Sequence, residues 1–135
     1  MALAFGHHLI EPVPSTVPLL VRDPWCHALQ GQKVRVSVTS CIQGKAVRTV
    51  SGELLFTQYG LSGTAILDVS DEISIALNRD RVAGVSVTVD LIPFMSEAEL
   101  EKELRRRTAR DIPTGEILEG LLPHKISSLI MREKE

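Results

Sequence analysis

The sequence is poor in the residues that build several common kinds of functional site. Its 135 residues include two cysteines, three phenylalanines, one tryptophan and one tyrosine. Two cysteines are too few for a disulfide framework, and neither Cys26 nor Cys41 stands at zinc-ligand spacing from a histidine. We therefore expect no metal site, and we expect both cysteines to be buried free thiols in a reducing compartment.

The sequence also lacks a long apolar run and an excess of positive charge. No segment reaches the roughly 18 to 20 apolar residues of a membrane helix, and the start of the chain does not resemble a signal peptide. The formal net charge is −2, so no overall positive field attracts nucleic acid or an anionic membrane. We expect a soluble, cytoplasmic protein with neither nucleic acid nor a membrane as partner.

Two nucleotide-binding motifs are missing as well. No two glycines stand in a Gly-x-Gly arrangement, which excludes the Rossmann fingerprint for FAD or NAD(P). Gly115 and Gly120 are five apart, but Leu121 follows where a phosphate-binding loop needs lysine. We expect this chain to bind no such cofactor by itself.

Alternating apolar residues predict the strands. Apolar and polar residues alternate strictly over 33–39 and 85–91. The four prolines of residues 6–24 predict an extended chain there, in which residues 17–21 are apolar enough for a short strand. Residues 46–50 and 53–57 flank Ser51-Gly52, which predicts a hairpin around a tight turn.

Helical spacing dominates the other segments. Residues 62–77 favour a helix capped by Ser62, although 73–77 would also alternate as a strand. Ser96 and Glu99 form a capping box that predicts a helix over 97–111, and two shorter helices are predicted over 114–122 and from Pro123 onwards. The chain is therefore predicted to be α+β, with a small antiparallel β-barrel-like lobe at 1–93 followed by a three-helix lobe at 94–135.

The densest group of candidate functional residues follows the strand at 53–57. Two glycines three apart precede a helix start, so backbone N–H groups could approach a ligand there. The alternative is that Gly60 and Gly63 only satisfy turn dihedral angles. The candidate loop comprises Thr57, Gln58, Tyr59, Gly60, Leu61, Ser62 and Gly63.

Three other motif interpretations find little support. A nucleophile elbow needs glycine where Thr64 stands, and the nucleic-acid clamp of KH domains usually carries Lys or Arg where Leu61 and Ser62 stand. Arg105 and Arg107 follow Glu101 and Glu103 at i, i+4 in the charged run 101–110, which indicates a solvated helix face rather than a nucleic-acid site.

Five ordered blocks of the sequence are similar to one known family. They are Gly6-His7-His8-Leu9-Ile10-Glu11-Pro12, Pro14 to Leu19, Gly52 to Leu67, Asp90-Leu91-Ile92-Pro93, and Leu121-Leu122-Pro123-His124-Lys125. In this order they resemble the insert region of the BaiN/YhiN-like NAD(P)/FAD-dependent oxidoreductases. That resemblance implies a β-barrel and a small three-helix array inserted into an FAD-binding domain, which would be the partner of this chain within one polypeptide. The chain departs from the family pattern at Gln58, where histidine is usual, and at Thr64, where proline is usual.

The leading hypothesis is therefore a cap or substrate-side insert domain of a flavoprotein oxidoreductase. The parent protein would hold FAD, the substrate is unknown, and the chain alone would be inactive. The candidate loop would face flavin or substrate, with backbone N–H groups and the Ser62 hydroxyl as donors and with Arg48 and Glu53 as possible neighbours. The start of the chain favours a segment cut from a longer protein.

Two further hypotheses stay open. The chain could be a stand-alone binding or adaptor module whose barrel presents the Gly60 to Gly63 loop to a partner. It could also be a hydrolase that uses Ser62, which a fluorophosphonate probe would label.

Overall fold

The computed structural model of the chain describes residues 2–133. Five antiparallel strands form one sheet in the order β1-β4-β3-β2-β5, curled into a half-barrel, and four α-helices accompany it. The strands are β1 (Leu19–Leu20), β2 (Lys33–Ile42), β3 (Lys45–Thr57), β4 (Gly60–Ser62) and β5 (Val85–Asp90). The helices are α1 (Pro24–Ala28), α2 (Thr64–Ser74), α3 (Glu97–Ala109) and α4 (His124–Glu133). The predicted α+β fold class is confirmed.

The predicted hairpin around Ser51-Gly52 is wrong, because β3 runs without a break through both residues. The turn lies at Gln43 and Gly44 instead, whose φ angles of 53° and 78° suit a tight two-residue β-turn. Gly52 pairs with Val36 in the sheet, and a Cβ atom there would lie 2.8 Å from the Thr64 hydroxyl oxygen. This glycine therefore makes room for the start of α2 rather than for a turn.

The two faces of the sheet differ in polarity. The inward face of β2 and β3 is buried, as is the apolar stripe of α2 that lies over it; this core includes Val36, Val38, Leu54, Phe56, Ile66, Val69 and Ile73. The outward face carries hydroxyl groups, and Thr39 and Thr49 are hydrogen-bonded across the strands at 2.8 Å. One face thus supplies the hydrophobic stabilisation, while the other meets solvent.

The predicted helix over 62–77 is confirmed, but its predicted cap is wrong. The helix begins at Thr64 with Gly63 as N-cap, because Ser62 is the last residue of β4 and pairs with Leu55. Beyond α2 the chain continues as a π-helical turn over Ile75–Arg79, in which the Asp80 N–H reaches back to the Ile75 carbonyl at 2.9 Å.

The proline-rich segment before β1 is tied to α2 by hydrogen bonds. Asp71 accepts hydrogen bonds from the Ser15 hydroxyl at 2.6 Å and the Thr16 N–H at 3.1 Å, and these lower the pKa of its carboxyl group. The Val17 N–H donates to the Ser70 hydroxyl at 3.1 Å.

Helix α1 was not predicted: an extended chain was expected as far as Pro24, and the helix begins at that proline.

The signal for α1 is present in the sequence. Asp23 accepts a hydrogen bond from the Trp25 N–H at 2.9 Å, and Pro24 takes the first helical position, where its missing N–H costs nothing. The Trp25 indole N–H donates to Glu133 near the end of α4. Cys26 on α1 is buried as expected, whereas Cys41 is only half-buried, and both are free thiols.

The capping box and α3 are confirmed. The Ser96 side chain accepts from the Glu99 N–H at 3.1 Å, and Glu99 accepts from the Ser96 N–H at 3.0 Å. The start of α4 next to Pro123 agrees with prediction as well.

The predicted helix over 114–122 is wrong. Only Thr114–Glu116 forms a short 3-10 helix, and Gly120 then takes a φ of 79° that a right-handed helix cannot contain. Arg107 replaces the missing helical hydrogen bonds, since it donates to the carbonyls of Ile117 at 2.8 Å and Glu119 at 2.6 Å. Within residues 2–133, no helix is both long and apolar enough to cross a bilayer.

We expect the stability of the C-terminal segment to depend on the ionised form of Glu103. Hydrogen bonds from Arg106 and then Arg107 lower the pKa of Glu103 from 4.5 to about 2. Because the folded-state pKa is depressed, this stabilisation is complete above about pH 4.5 and is lost as the pH falls toward 2. The difference in urea midpoint between wild type and Glu103→Gln should follow that course, whereas Glu101→Gln should change the midpoint little at any pH. A difference that stays constant on acidification would contradict this role.

Candidate functional site

The candidate residues lie on a tight hairpin between β3 and β4 rather than on an open loop. Thr57 pairs with Gly60, so the turn consists of Gln58 and Tyr59 alone. These two are exposed, whereas Gly60 and Leu61 are buried in the sheet. Thr57, Ser62 and Gly63 are half-buried. The side chains that a ligand can reach most easily are therefore those of Gln58 and Tyr59.

The two glycines of the hairpin are required by contacts with the chain itself. A Cβ atom on Gly60 would overlap the Leu19 carbonyl oxygen of β1. Gly63 has a φ of 95°, and a Cβ atom there would overlap the Glu53 carbonyl oxygen of β3. Both positions thus allow neighbouring backbones to approach closely, which gives the three-residue spacing of the glycines a packing role.

Two exposed apolar side chains belong to the turn and to the strand beside it. Tyr59 is 69% exposed and Leu20 on β1 is 88% exposed. Their backbones are adjacent, because Leu20 pairs with Gly60 and the Val21 N–H donates to the Tyr59 carbonyl at 3.0 Å. We call Leu20, Gln58 and Tyr59 the hairpin patch.

The hairpin patch combines two kinds of interaction. The Leu20 side chain and the Tyr59 ring can each contact an apolar group, while the Tyr59 hydroxyl and the Gln58 amide can donate or accept hydrogen bonds. Sequence reasoning missed Leu20, since its signal is only an apolar residue in a short strand after Pro18.

The two neighbours suggested by the sequence lie at different distances from the hairpin. The Glu53 N–H donates to the Thr64 hydroxyl at 3.0 Å, so its backbone adjoins the start of α2. Arg48 lies nine residues before Thr57 on the same strand, or about 30 Å at the usual rise per residue. It donates to the Asp68 carbonyl at 2.9 Å and lies 3.8 Å from Glu72. The structure does not bring Arg48 to the hairpin patch.

The remaining sequence candidates do not converge on a second centre. His7, His8, His27 and His124 are all exposed. Across residues 2–133, no group of three or more His, Cys, Asp or Glu side chains is placed to hold a metal ion. The hairpin patch is the best-supported candidate site.

We predict that Gly60→Ala destabilises the protein strongly. The added methyl group cannot avoid the Leu19 carbonyl without moving β1 or β4, so the free energy of unfolding should fall by about 3 kcal/mol. Gly115→Ala is the matched control, because a Cβ atom there has no neighbour within 4 Å. Its effect should stay within about 0.5 kcal/mol. Urea denaturation checks both variants, and equal effects would show that the close contact at Gly60 is not needed.

Comparison with known proteins shows that this chain is similar to segments of longer proteins. Residues 13–135 match the family described as "HI0933-like protein barrel and H2TH domain". A 3-dehydro-bile acid delta(4,6)-reductase of Clostridium scindens is 25% identical over 128 residues, which cover 93% of this chain and 31% of the reductase. A ribosomal RNA dihydrouridine synthase of Haemophilus influenzae is 30% identical over 131 residues, which cover 96% of this chain and 29% of the synthase.

The chain thus spans about a third of the length of these two curated relatives. Its match to the family covers the half-barrel, the hairpin patch and the C-terminal helices. On this basis the chain belongs to the HI0933-like barrel and H2TH domain family.

Proposed function

We propose that this chain is the substrate-side insert domain of an FAD-dependent NAD(P) oxidoreductase and is inactive in isolation. The observation that carries the proposal is the match of residues 13–135 to the barrel and H2TH family. The chain corresponds to only 31% and 29% of the two relatives, so most of either enzyme lies outside the matched segment. In this proposal the domain supplies one side of the active site, and the remaining polypeptide supplies the other.

The described residues do not fit the pyrophosphate of FAD. Such a site needs a glycine-rich turn whose backbone N–H groups open toward the ligand. The glycine-flanked helix start is that of α2, and there the Ala65 nitrogen lies 3.1 Å from the position that a Cβ atom on Gly52 would take. This helix start is therefore packed against β3. We propose that an FAD-binding domain of the same polypeptide holds the cofactor and is the partner of this chain.

The names of the two relatives suggest a substrate class. A 3-dehydro steroid with delta(4,6) unsaturation carries C=C bonds conjugated with a carbonyl group, and forming dihydrouridine saturates a C=C bond conjugated with a uracil carbonyl. Both names therefore describe the reduction of an alkene that is activated by a carbonyl group. We propose a conjugated alkene of this kind as the substrate class of the parent enzyme.

The hairpin patch would contribute to such a reaction by polarising the carbonyl. The carbonyl oxygen gains negative charge when hydride adds to the conjugated alkene, and a hydrogen-bond donor aimed at it stabilises that charge. The Tyr59 hydroxyl and the Gln58 amide are donors that extend from the domain surface. Leu20 and the Tyr59 ring would exclude water around the reacting atoms.

We predict that Tyr59→Phe lowers kcat/KM of the flavoprotein that contains this domain by about tenfold or more, because one donor to the developing oxyanion is removed. The variant keeps the ring, so its thermal stability and its FAD content should match those of the wild type. The measurement is NAD(P)H oxidation with a panel of conjugated enones.

Val47→Ala is the control, since Val47 is exposed on β3 near the Gln43-Gly44 turn, far from the hairpin patch. Equal kcat/KM for wild type and Tyr59→Phe would exclude a donor role for this hydroxyl. Enone reduction by the isolated 135-residue chain would contradict the insert-domain proposal itself.

A further inference from the structure

The segment that leads into β1 is stiff and is fixed to the helix beneath it. Residues 11–18, which we call the strap, contain three prolines, and each proline locks its own φ angle and restricts the residue before it. The strap lies against α2 and the π-helical turn, where the Arg79 guanidinium donates to the Glu11 carbonyl at 3.2 Å. Its path is therefore set by contacts within the chain itself.

One residue of the strap has an unfavourable backbone conformation. Thr16 has a φ angle of 52°, which lies in the left-handed region. A β-branched residue rarely adopts this conformation, because its Cβ atom then comes close to the following carbonyl oxygen. Strain of this kind persists only where the surrounding residues hold it in place. The conformation of Thr16 therefore requires an interaction that offsets its strain.

Asp71 on α2 supplies that interaction. One oxygen atom of its carboxylate, Oδ1, accepts hydrogen bonds from the Ser15 hydroxyl at 2.6 Å and the Thr16 N–H at 3.1 Å. Hydrogen bonds to a charged carboxylate are stronger than those between neutral groups. The Val17 N–H then donates to the buried Ser70 hydroxyl at 3.1 Å. Three consecutive residues of the strap are thus bonded to two consecutive residues of α2, and the strained residue is the middle one.

Strand β1 follows the strap directly and is too short to hold its own position. It has two residues and lies at the edge of the sheet, where it pairs with β4. The Val21 N–H adds one more bond, to the Tyr59 carbonyl at 3.0 Å. So short a pairing opens easily unless the adjoining chain is held. The position of Leu20 beside the hairpin turn therefore depends on how firmly the strap is fixed.

We propose that Asp71 is a positioning residue for the hairpin patch. Its carboxylate holds Thr16 in the left-handed conformation, which fixes the strap on α2, keeps β1 paired with β4 and places Leu20 beside the backbone of Tyr59. All of these contacts are internal to the chain, so the positioning role does not depend on flavin or on a partner. Its consequence for catalysis rests on the proposed function.

The test compares Asp71→Ala with the wild type by amide hydrogen exchange, measured by NMR on the 135-residue chain. Alanine has a higher helix propensity than aspartate, so this variant removes the carboxylate without weakening α2. We expect the Val17 and Val21 N–H groups to exchange about tenfold faster, because the strap opens more often. The Gly31 N–H, which donates to the Phe56 carbonyl at 2.9 Å, should keep its wild-type rate.

Asp68→Ala is the matched control, because Asp68 is exposed one turn earlier on α2 and its hydrogen bond with Arg48 uses the backbone carbonyl. It should leave the exchange rates unchanged. Adding Thr16→Gly to Asp71→Ala should restore most of the protection at Val21, because glycine adopts a positive φ angle without strain.

Three outcomes would overturn the positioning role. The first is equal exchange at Val21 in Asp71→Ala and Asp68→Ala. The second is faster exchange at Gly31 as well, since Asp71 would then support the whole fold. The third is equal exchange in Asp71→Ala and in the double variant with Thr16→Gly, since strain at Thr16 would then play no part.

Kinetics of the flavoprotein that contains this domain separate this role from the proposed function. Asp71→Ala should raise KM for the enone by about threefold or more and change kcat little, because Leu20 contacts bound substrate and transition state alike while Tyr59 keeps its hydroxyl. Faster exchange at Val21 with an unchanged KM would support the positioning role and contradict the proposed place of the hairpin patch at the active site. Unchanged exchange would overturn the positioning role whatever the kinetics.

Discussion

The close approach of three backbone segments beside β3 is the constraint on which this structure depends. Strand β4 fits between β1 and β3 because Gly60 has no side chain to collide with Leu19. Helix α2 then begins at once over the sheet, because Gly52 leaves room for its first residues and because Gly63, its N-cap, can lie close to the backbone of β3. These contacts place the apolar stripe of α2 over the inward face of the sheet and present Gln58 and Tyr59 at the tip of the hairpin. Packing and exposure of the candidate site are therefore set by the same three glycines.

Patterns that reflect burial predicted much of the fold. Alternating valines marked β2 and β5 because one face of each strand meets the core, and the pair Ser96 and Glu99 marked the start of α3 because it satisfies free backbone N–H groups locally. The wrong predictions concern residues whose roles depend on contacts with distant parts of the chain. Gly52 indicated a turn in the sequence, yet a glycine is needed there because Thr64, twelve residues later, lies against it. Residues 114–122 had helical spacing, but Gly120 and the carbonyl contacts of Arg107 hold them in turns.

The candidate site could be located from the sequence, but its geometry could not. The glycines around Tyr59 marked the segment in which the candidate site is proposed, although their close contacts are with the chain's own strands. The neighbour Leu20 belongs to a strand nearly forty residues earlier, and only the pairing of β1 with β4 brings it to Tyr59. The π-helical turn that follows α2 could not be predicted either, because no sequence signal marked it.

We propose that the hairpin patch faces the active site of a larger flavoprotein, and Tyr59 allows a direct test because it is the one tyrosine of the chain. The rate at which tetranitromethane nitrates Tyr59 can be followed by mass spectrometry in the isolated chain and in the FAD-loaded polypeptide that contains it. The isolated chain should react quickly, since the side chain is 69% exposed. If the hairpin patch faces the flavin-binding part, nitration of Tyr59 should be much slower in the FAD-loaded polypeptide. Equal nitration rates in both would show that the hairpin patch points away from the flavin-binding part, so that it does not face the active site.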